Sequence, residues 1–212
     1  MSLEEIRGAF PNVSRETWDR LEIFVGLLLK WQKTVNLISP STVPAIWTRH
    51  VADSLQLLQM APAAKIWVDL GSGGGFPALV IAAALVDRLG ARVHLIESDQ
   101  RKCAFLREAV RHAVLPATIH NGRIEAVLGN WVEPAEVITA RALAPLPRLV
   151  ELAFPLLKTG AIGLFSKGRD AVAELTQTAK DWHIEAELAQ SLTDPDGRIV
   201  VVSKAVPRED QR

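Results

Sequence analysis

Hydrophobic positions along this 212-residue chain recur first with a helical period and then in strand and helix patterns that alternate. Between residues 14 and 34, Thr17, Trp18, Leu21, Phe24, Val25, Leu28 and Trp31 share one helical face, and Ser14 stands as a natural N-cap. Ser41 is a candidate cap for a second helix carrying Ile46, His50, Asp53, Ser54 and Leu57, with Pro62 just beyond it. No strand pattern precedes residue 65, so residues 1–62 are expected to form a helical extension.

From there the pattern alternates. Strands are predicted over 64–70, 91–97, 117–121, 135–141, 160–167 and 198–204, with a partner for the last around 183–188. Helices are predicted over 77–89, 99–114, 149–158 and 169–181, and Gly90 is placed to end the first of these. Strands that alternate with helices imply a doubly wound, mostly parallel sheet. The turn-like "TDPDG" at 193–197 suggests that the last two strands close it as an antiparallel hairpin. The expected organisation is thus an extension (1–62), an α/β domain (63–206) packed with it as one unit, and a flexible tail (207–212).

Composition narrows the picture without deciding it. With 49% hydrophobic residues a large core can be buried, and 24 basic residues balance 24 acidic ones, so total charge predicts no nucleic-acid partner. A neutral total can still hide a local basic face. The single cysteine, Cys103, lies in a helical pattern, reads as core, and fits a reducing cytoplasm. The start "MSLEEIRGAF" lacks the apolar stretch of a signal peptide, and the run from Ala78 to Val86 is too short to span a bilayer, so no membrane role is expected. His94, His112, His120 and His183 show no ligand spacing, and no metal is expected. The six tryptophans read as packing residues.

Chemistry concentrates in "VDLGSGGGFP", residues 68–77, at the end of the first predicted strand. No lysine follows the glycines, which disfavours a nucleoside triphosphate loop. Gly73, Gly75 and Ala78 satisfy G-x-G-x-x-A, and Glu97 stands 22 residues beyond Gly75, so a dinucleotide remains an alternative. Two residues favour a different adenosine ligand. Asp69, at the strand mouth, is awkward beside a pyrophosphate but suits a cationic amino-acid end. Pro77 removes an N–H where a phosphate would bind. Both suit S-adenosylmethionine, which carries an adenosine, a ribose diol and a sulfonium amino acid but no phosphate. Glu97, ending the second strand, is the expected acceptor for the ribose hydroxyls. Ser98 and Gln100 are candidates for the adenine side.

Several stretches in order carry a family likeness: "LLKWQKTVNLIS" (28–39), "RHVADSLQL" (49–57), the glycine loop, "LIESDQRKCAFLREAV" (95–110), "NGRIEAV" (121–127), "ITARALAPL" (138–146) and "LFSKG" (164–168). Over roughly residues 20–170 the chain resembles the glucose-inhibited division protein B family of bacterial methyltransferases. The resemblance implies a class I, Rossmann-like fold and transfer of a methyl group from S-adenosylmethionine to guanine N7 in 16S ribosomal RNA, free or in the small subunit. Two departures are visible: Ala78 where the family commonly has glycine, and Glu97 where it often has aspartate. An NAD(P)-dependent oxidoreductase and a non-catalytic RNA-binding protein on the same fold are the alternatives.

The resemblance and the strand ends together propose a site. Asp69, Gly71, Ser72, Gly73, Gly75, Phe76, Glu97, Ser98, Ile124, Glu125 and Arg141 are expected at the methyl donor, with Ile124 and Glu125 beside its adenine. Lys102, Arg123, Lys167 and Arg169 are candidates for RNA phosphates. Arg141 is the only charged side chain between Glu136 and Arg148 and ends a strand that reads as buried. Its expected partner is the donor or the target nucleotide; the alternative is an ion pair with Asp69 or Glu125. His50 and Asp53 lie three apart on one helix face, either docking the extension or lining the pocket. No general base is assigned, since guanine N7 carries a lone pair and no proton, so alignment would supply the catalysis.

Overall fold

The structure, a computed structural model, describes residues 3–208. Seven strands form one sheet in the order β3-β2-β1-β4-β5-β7-β6. β1 (Ile66–Leu70), β2 (Arg92–Glu97), β3 (Ala117–Asn121), β4 (Val137–Arg141) and β5 (Ile162–Lys167) run parallel. β6 (Trp182–Gln190) and β7 (Arg198–Pro207) form the antiparallel hairpin, with β7 inserted against β5. Pro207 closes β7 opposite Trp182, and residues 209–212 of the expected tail lie outside the described residues.

Side-chain alternation along the strands sorts the core into two layers. Trp67, Val93, Leu95, Val137 and Leu164 face one side, where they pack with α2 (Arg15–Trp31), α3 (Asp53–Met60), α4 (Ala78–Ala84) and α5 (Gln100–Ala113). Val68, Leu70, Ile96, Ile138 and Phe165 face the other, under α6 (Ile124–Leu128) and α7 (Leu146–Leu157), with α8 (Ala171–Asp181) alongside. The N-terminal helices therefore cover the same sheet face as α4 and α5. α2 is seated by the predicted stripe: Trp18, Leu21, Phe24, Val25 and Leu28 are buried, and Ser14 Oγ accepts from the Thr17 N–H at 3.1 Å. Cys103 is fully buried, as its helical setting predicts.

Departures from the sequence reading have local causes. A short α1 (Leu3–Ala9) precedes α2 and carries a single buried residue, Ile6, too little for a periodic signal. α2 stops at Trp31 because the next residue, Gln32, turns its side chain onto the following loop: its Oε1 accepts from the N–H groups of Leu37 and Ile38, and its Nε2 donates to the Ile38 carbonyl. The single helix expected after Ser41 is instead a 3-10 turn (Pro40–Ala45) preceded by Ser39, a π-helical turn (Trp47–Ala52) and then α3. Pro44 inside the 3-10 turn has no N–H to extend an α-helix. α4 ends at Ala84, five residues short of the expected end. α7 begins at Leu146, three before the expected start, with proline in its first turn.

Candidate methyl-donor site

The glycine loop leaves β1 and folds back over β2. The N–H groups of Gly71 and Ser72 both donate to the Ile96 carbonyl, at 2.9 and 3.1 Å. Gly71, Gly73 and Gly75 adopt positive φ of 70°, 51° and 86°. A Cβ on Gly71 would meet Leu143 at 2.6 Å, and one on Gly75 would meet Leu79 at 2.8 Å. A Cβ on Gly74 would press on the Leu37 carbonyl oxygen at 2.8 Å, so the loop that Gln32 shapes sits directly against the glycines. At Gly73 the surroundings are open: its nearest neighbour would be the Gly71 carbonyl at 3.8 Å.

Above this loop lies a cavity of about 680 Å³ at the carboxyl ends of β1–β4, where a doubly wound sheet places its ligand. Of the expected donor residues, Gly71, Ser72, Gly73, Phe76, Glu97, Ser98, Ile124, Glu125 and Arg141 line it, and Lys102 and Arg123 stand at its wall. Gly75 supports the loop from behind. Gln100 is not among the lining residues.

Glu97 is buried and holds the cavity together. Its Oε2 accepts from the Gly73 N–H and its Oε1 from the Asp99 N–H, both at 2.8 Å. Each oxygen keeps a further lone pair, so the carboxylate can accept from both hydroxyls of a vicinal diol. Asp69 does not line the cavity. It is 1% exposed; Thr139 donates to its Oδ1 at 2.6 Å, and its Oδ2 has no partner. Burial pushes its carboxyl up to about 7, against the pull of the Thr139 and Ser72 hydroxyls.

Arg141 departs most from the sequence reading. Its ion partner is neither Asp69 nor Glu125 but Asp53, 3.5 Å from its Nε, and its Nη2 donates to the Arg49 carbonyl at 2.6 Å. Its Nη1 is buried with no partner. Burial, with Arg49 nearby, lowers its pKa while Asp53 opposes the shift. The strand end is thereby tied to the π-helical turn.

His50 lines the donor cavity and Asp53 a neighbouring one, so the helix face they share reaches both. His50 stacks on Phe76 with ring centroids 4.8 Å apart and shares a 2.8 Å hydrogen bond with Thr42. Burial, then Arg141 and Arg49, hold its pKa down to about 3, which leaves a neutral ring. Glu125 is exposed and paired with Arg148, which also lines the cavity.

Two of the phosphate candidates are placed differently from expectation. Lys167 is internal: its side chain is 10% exposed, 2.6 Å from Glu174, and donates to the Ala144 carbonyl. Arg169 is exposed but paired with Asp196 and lies outside the donor cavity. The basic rim expected at the strand ends is therefore narrower, with Lys102 and Arg123 at the cavity and Arg141 and Lys167 committed to carboxylates. Sequence reasoning assigned no role to Leu37, Ile38, Ser39 or Thr42, which close the cavity from the N-terminal side. The signal was present in the "VNLIS" stretch, yet no periodic pattern marks a loop as a wall.

Among the described residues no group of three or more His, Cys, Asp and Glu is placed to hold a metal ion, and no helix is long and apolar enough to cross a membrane. His94 and His120, unremarkable in spacing, meet across β2 and β3 at 3.1 Å.

A mostly parallel sheet with a glycine loop on β1, an acid ending β2 and a cavity at their carboxyl ends is a Rossmann-like fold. Two solved structures share it: an O-methyltransferase from Bacillus cereus in complex with SAH (TM-score 0.59, 18% identity, 85% of this chain and 90% of that one) and a putative O-methyltransferase from Klebsiella pneumoniae (TM-score 0.60, 14% identity, 85% and 90%). The model of the rRNA small subunit methyltransferase G family matches residues 17–198, and the chain belongs to that family. It is 53% identical to a ribosomal RNA small subunit methyltransferase G from a Bradyrhizobium species, over 92% of this chain and 87% of that one. With the protein of the same name from Methylobacterium radiotolerans it shares 50% identity over 92% of each. Membership decides between the two adenosine ligands that the glycine loop left open, in favour of the methyl donor.

Proposed function

We propose that this chain transfers the methyl group of S-adenosylmethionine to N7 of a guanine in bacterial 16S ribosomal RNA, in the cytoplasm. The observation that carries the reading is the joining of family membership to a cavity whose buried acid, Glu97, keeps two free lone pairs beside an open glycine backbone. Bound there, S-adenosylmethionine supplies an electrophilic methyl group with a neutral thioether as its leaving group.

The residues of the chain bind and align. Glu97 receives the ribose hydroxyls, Gly73 leaves room for them, and Ile124 packs against the adenine with Glu125 and Ser98 nearby. Gly71 and Ser72 border the amino-acid end, and Asp69 lies in the layer behind them. Guanine N7 offers an in-plane lone pair and loses no proton. With no proton to remove, no base is required of His50, the histidine of the cavity wall, which is hydrogen-bonded to Thr42. Catalysis then rests on orientation and on exclusion of water by the 37–42 wall. Because that wall belongs to residues 1–62 and the glycine loop to 63–206, the two parts act as one unit.

The test uses purified small subunits and free 16S RNA from cells lacking the gene, with labelled S-adenosylmethionine. Nuclease digestion and mass spectrometry should show N7-methylguanosine. Methyl label on a different atom, or none in either substrate, refutes the reading.

A further inference from the structure

A second cavity, of about 330 Å³, opens on the other side of Arg141. Arg141 and Ala142 are the residues that line both cavities. The second is built by the ends of β4 and β5, the start of β7, the turn before β7 and the π-helical turn, with Asp53, Ser166, Gly168 and Thr193 in its wall. We infer that this cavity receives the base of the target guanine, with Arg141 Nη1 as the group that meets it at the shared wall. The inference rests on the guanine-N7 reading above and assigns the acceptor a place in it.

Three observations carry it. The first is order along the sheet edge. Ribose at Glu97 on β2 and adenine at Ile124 beyond β3 leave the transferable end of the donor directed across β1 toward β4. Neighbouring strands lie about 4.8 Å apart, so β4 is roughly two spacings, about 10 Å, from the ribose anchor. An acceptor must approach that end from a space contiguous with the donor cavity, and the space that shares the β4 wall is this one.

The second is charge. The cations around the second cavity are largely committed: Arg49 to Asp194, Arg141 to Asp53 and Lys167 to Glu174. Arg198 donates to the carbonyls of Pro195 and Gly197. Such a wall has little free positive charge for a phosphate. It suits a neutral heterocycle with polar edges, and the volume is at the small end of the roughly 300–1,000 Å³ typical of ligand pockets.

The third is the orphan donor. Arg141 Nη1 is buried without a partner, on a side chain that lines both cavities. In guanine, O6 and N7 are adjacent acceptors on one edge. A guanidinium N–H can donate to O6 while the N7 lone pair stays free. Adenine presents an amino donor at that position, which faces the arginine unfavourably. In the step itself, the N7 lone pair forms the new bond to the methyl carbon as the carbon–sulfur bond breaks. The bonding pair leaves with sulfur, the positive charge passes from sulfur to the base, and no proton moves.

Gly168 supplies the test. Gly168 lines the cavity, a Cβ there meets nothing within 4 Å and its φ is not left-handed, so Gly168→Phe adds bulk at the cavity wall with no clash at Cβ. The expected result is an unchanged melting temperature and an S-adenosylhomocysteine affinity within about twofold of wild type, with single-turnover methylation of the small-subunit substrate reduced at least tenfold. Arg141→Met should show the same loss of transfer with donor affinity retained. Its melting temperature is measured beside its activity, because the change removes the ion pair to Asp53, and Gly168→Phe decides if it does not fold. Full transfer by Gly168→Phe, or donor affinity lost in parallel with transfer in both variants, overturns the proposal. A wild type that methylates N7 and is indifferent to both changes refutes this inference alone. A wild type that methylates another atom refutes the reaction reading and this inference with it.

Discussion

Asp69 offers a prediction whose size follows from its surroundings. It is 1% exposed, one of its oxygens has no partner, and burial raises its carboxyl from 3.8 to about 7. Between those values the folded chain holds a proton that the unfolded chain has released. Stability contributed through Asp69 therefore falls as pH rises from about 4 to about 7 and is level above. Each pH decade is worth about 1.36 kcal/mol, so the two decades from pH 5 to pH 7 cost about 3 kcal/mol. Asp69→Asn is the isosteric neutral variant, and its carbonyl can still accept from Thr139. Urea denaturation of both proteins at pH 5, 6, 7 and 8 yields the difference in stability, in which contributions from the histidines cancel. That difference should shift toward the variant by about 3 kcal/mol between pH 5 and pH 8, with most of the change complete by pH 7. A difference that stays flat across this range would show that Asp69 is ionised in the folded chain, and the account of its burial would be wrong.

Glu97→Gln places an amide NH₂ against either the Gly73 or the Asp99 N–H. Losing a hydrogen bond to a charged group is worth about 1.5–3 kcal/mol, so calorimetry should show S-adenosylmethionine affinity reduced by between about tenfold and a hundredfold, and unchanged binding contradicts its role. His50, held down to about 3, stays neutral when the unfolded chain takes up a proton. Its contribution is full above pH 6.5 and is lost as pH falls toward 3, about 2 kcal/mol by pH 5. In His50→Gln the drop in stability from pH 7.5 to pH 5 should shrink by that amount. Gly74→Val would drive a side chain into the Leu37 carbonyl, with an overpacking cost of about 1–3 kcal/mol and weaker donor binding. Gly168→Ala meets nothing and should stay within about 0.5 kcal/mol of wild type by the same denaturation assay.

The parts of the site legible in the sequence are those written by local rules. A glycine run that needs positive φ, an acid at the end of the next buried strand and an arginine in an otherwise apolar strand can each be read from neighbours a few residues away. The sequence therefore places Gly71, Gly73, Glu97 and Arg141 at the strand ends where the structure has them lining the cavity, and the sheet closes with the expected hairpin. What escaped depends on contacts distant in sequence. Arg141 is 88 residues from Asp53, its actual partner. Lys167 reads as a free strand-end cation until α8 brings Glu174 against it. The 37–42 wall has no period at all, because Gln32 shapes its first part with three hydrogen bonds to backbone groups.

These long-range contacts share a physical logic. A charge at the carboxyl end of a buried strand is costly unless compensated, and the two cations that end parallel strands are compensated by segments outside the parallel strands: Asp53 from the N-terminal helices for Arg141 and Glu174 from α8 for Lys167. A chain of zero net charge can therefore build a site for a cationic donor beside one for a polynucleotide without a broadly basic surface. The cations left at the donor cavity, Lys102 and Arg123, have no carboxylate partner among the ion pairs of the described residues. Two such contacts would lower log affinity for RNA by less than two for each decade of salt, at the roughly −0.7 per phosphate of single strands. At this cavity, recognition then draws on shape and on the guanine itself more than on phosphate charge. This is the same division of labour that Arg141 expresses at the atomic scale, with its Nε committed to holding the fold and its Nη1 left for a ligand.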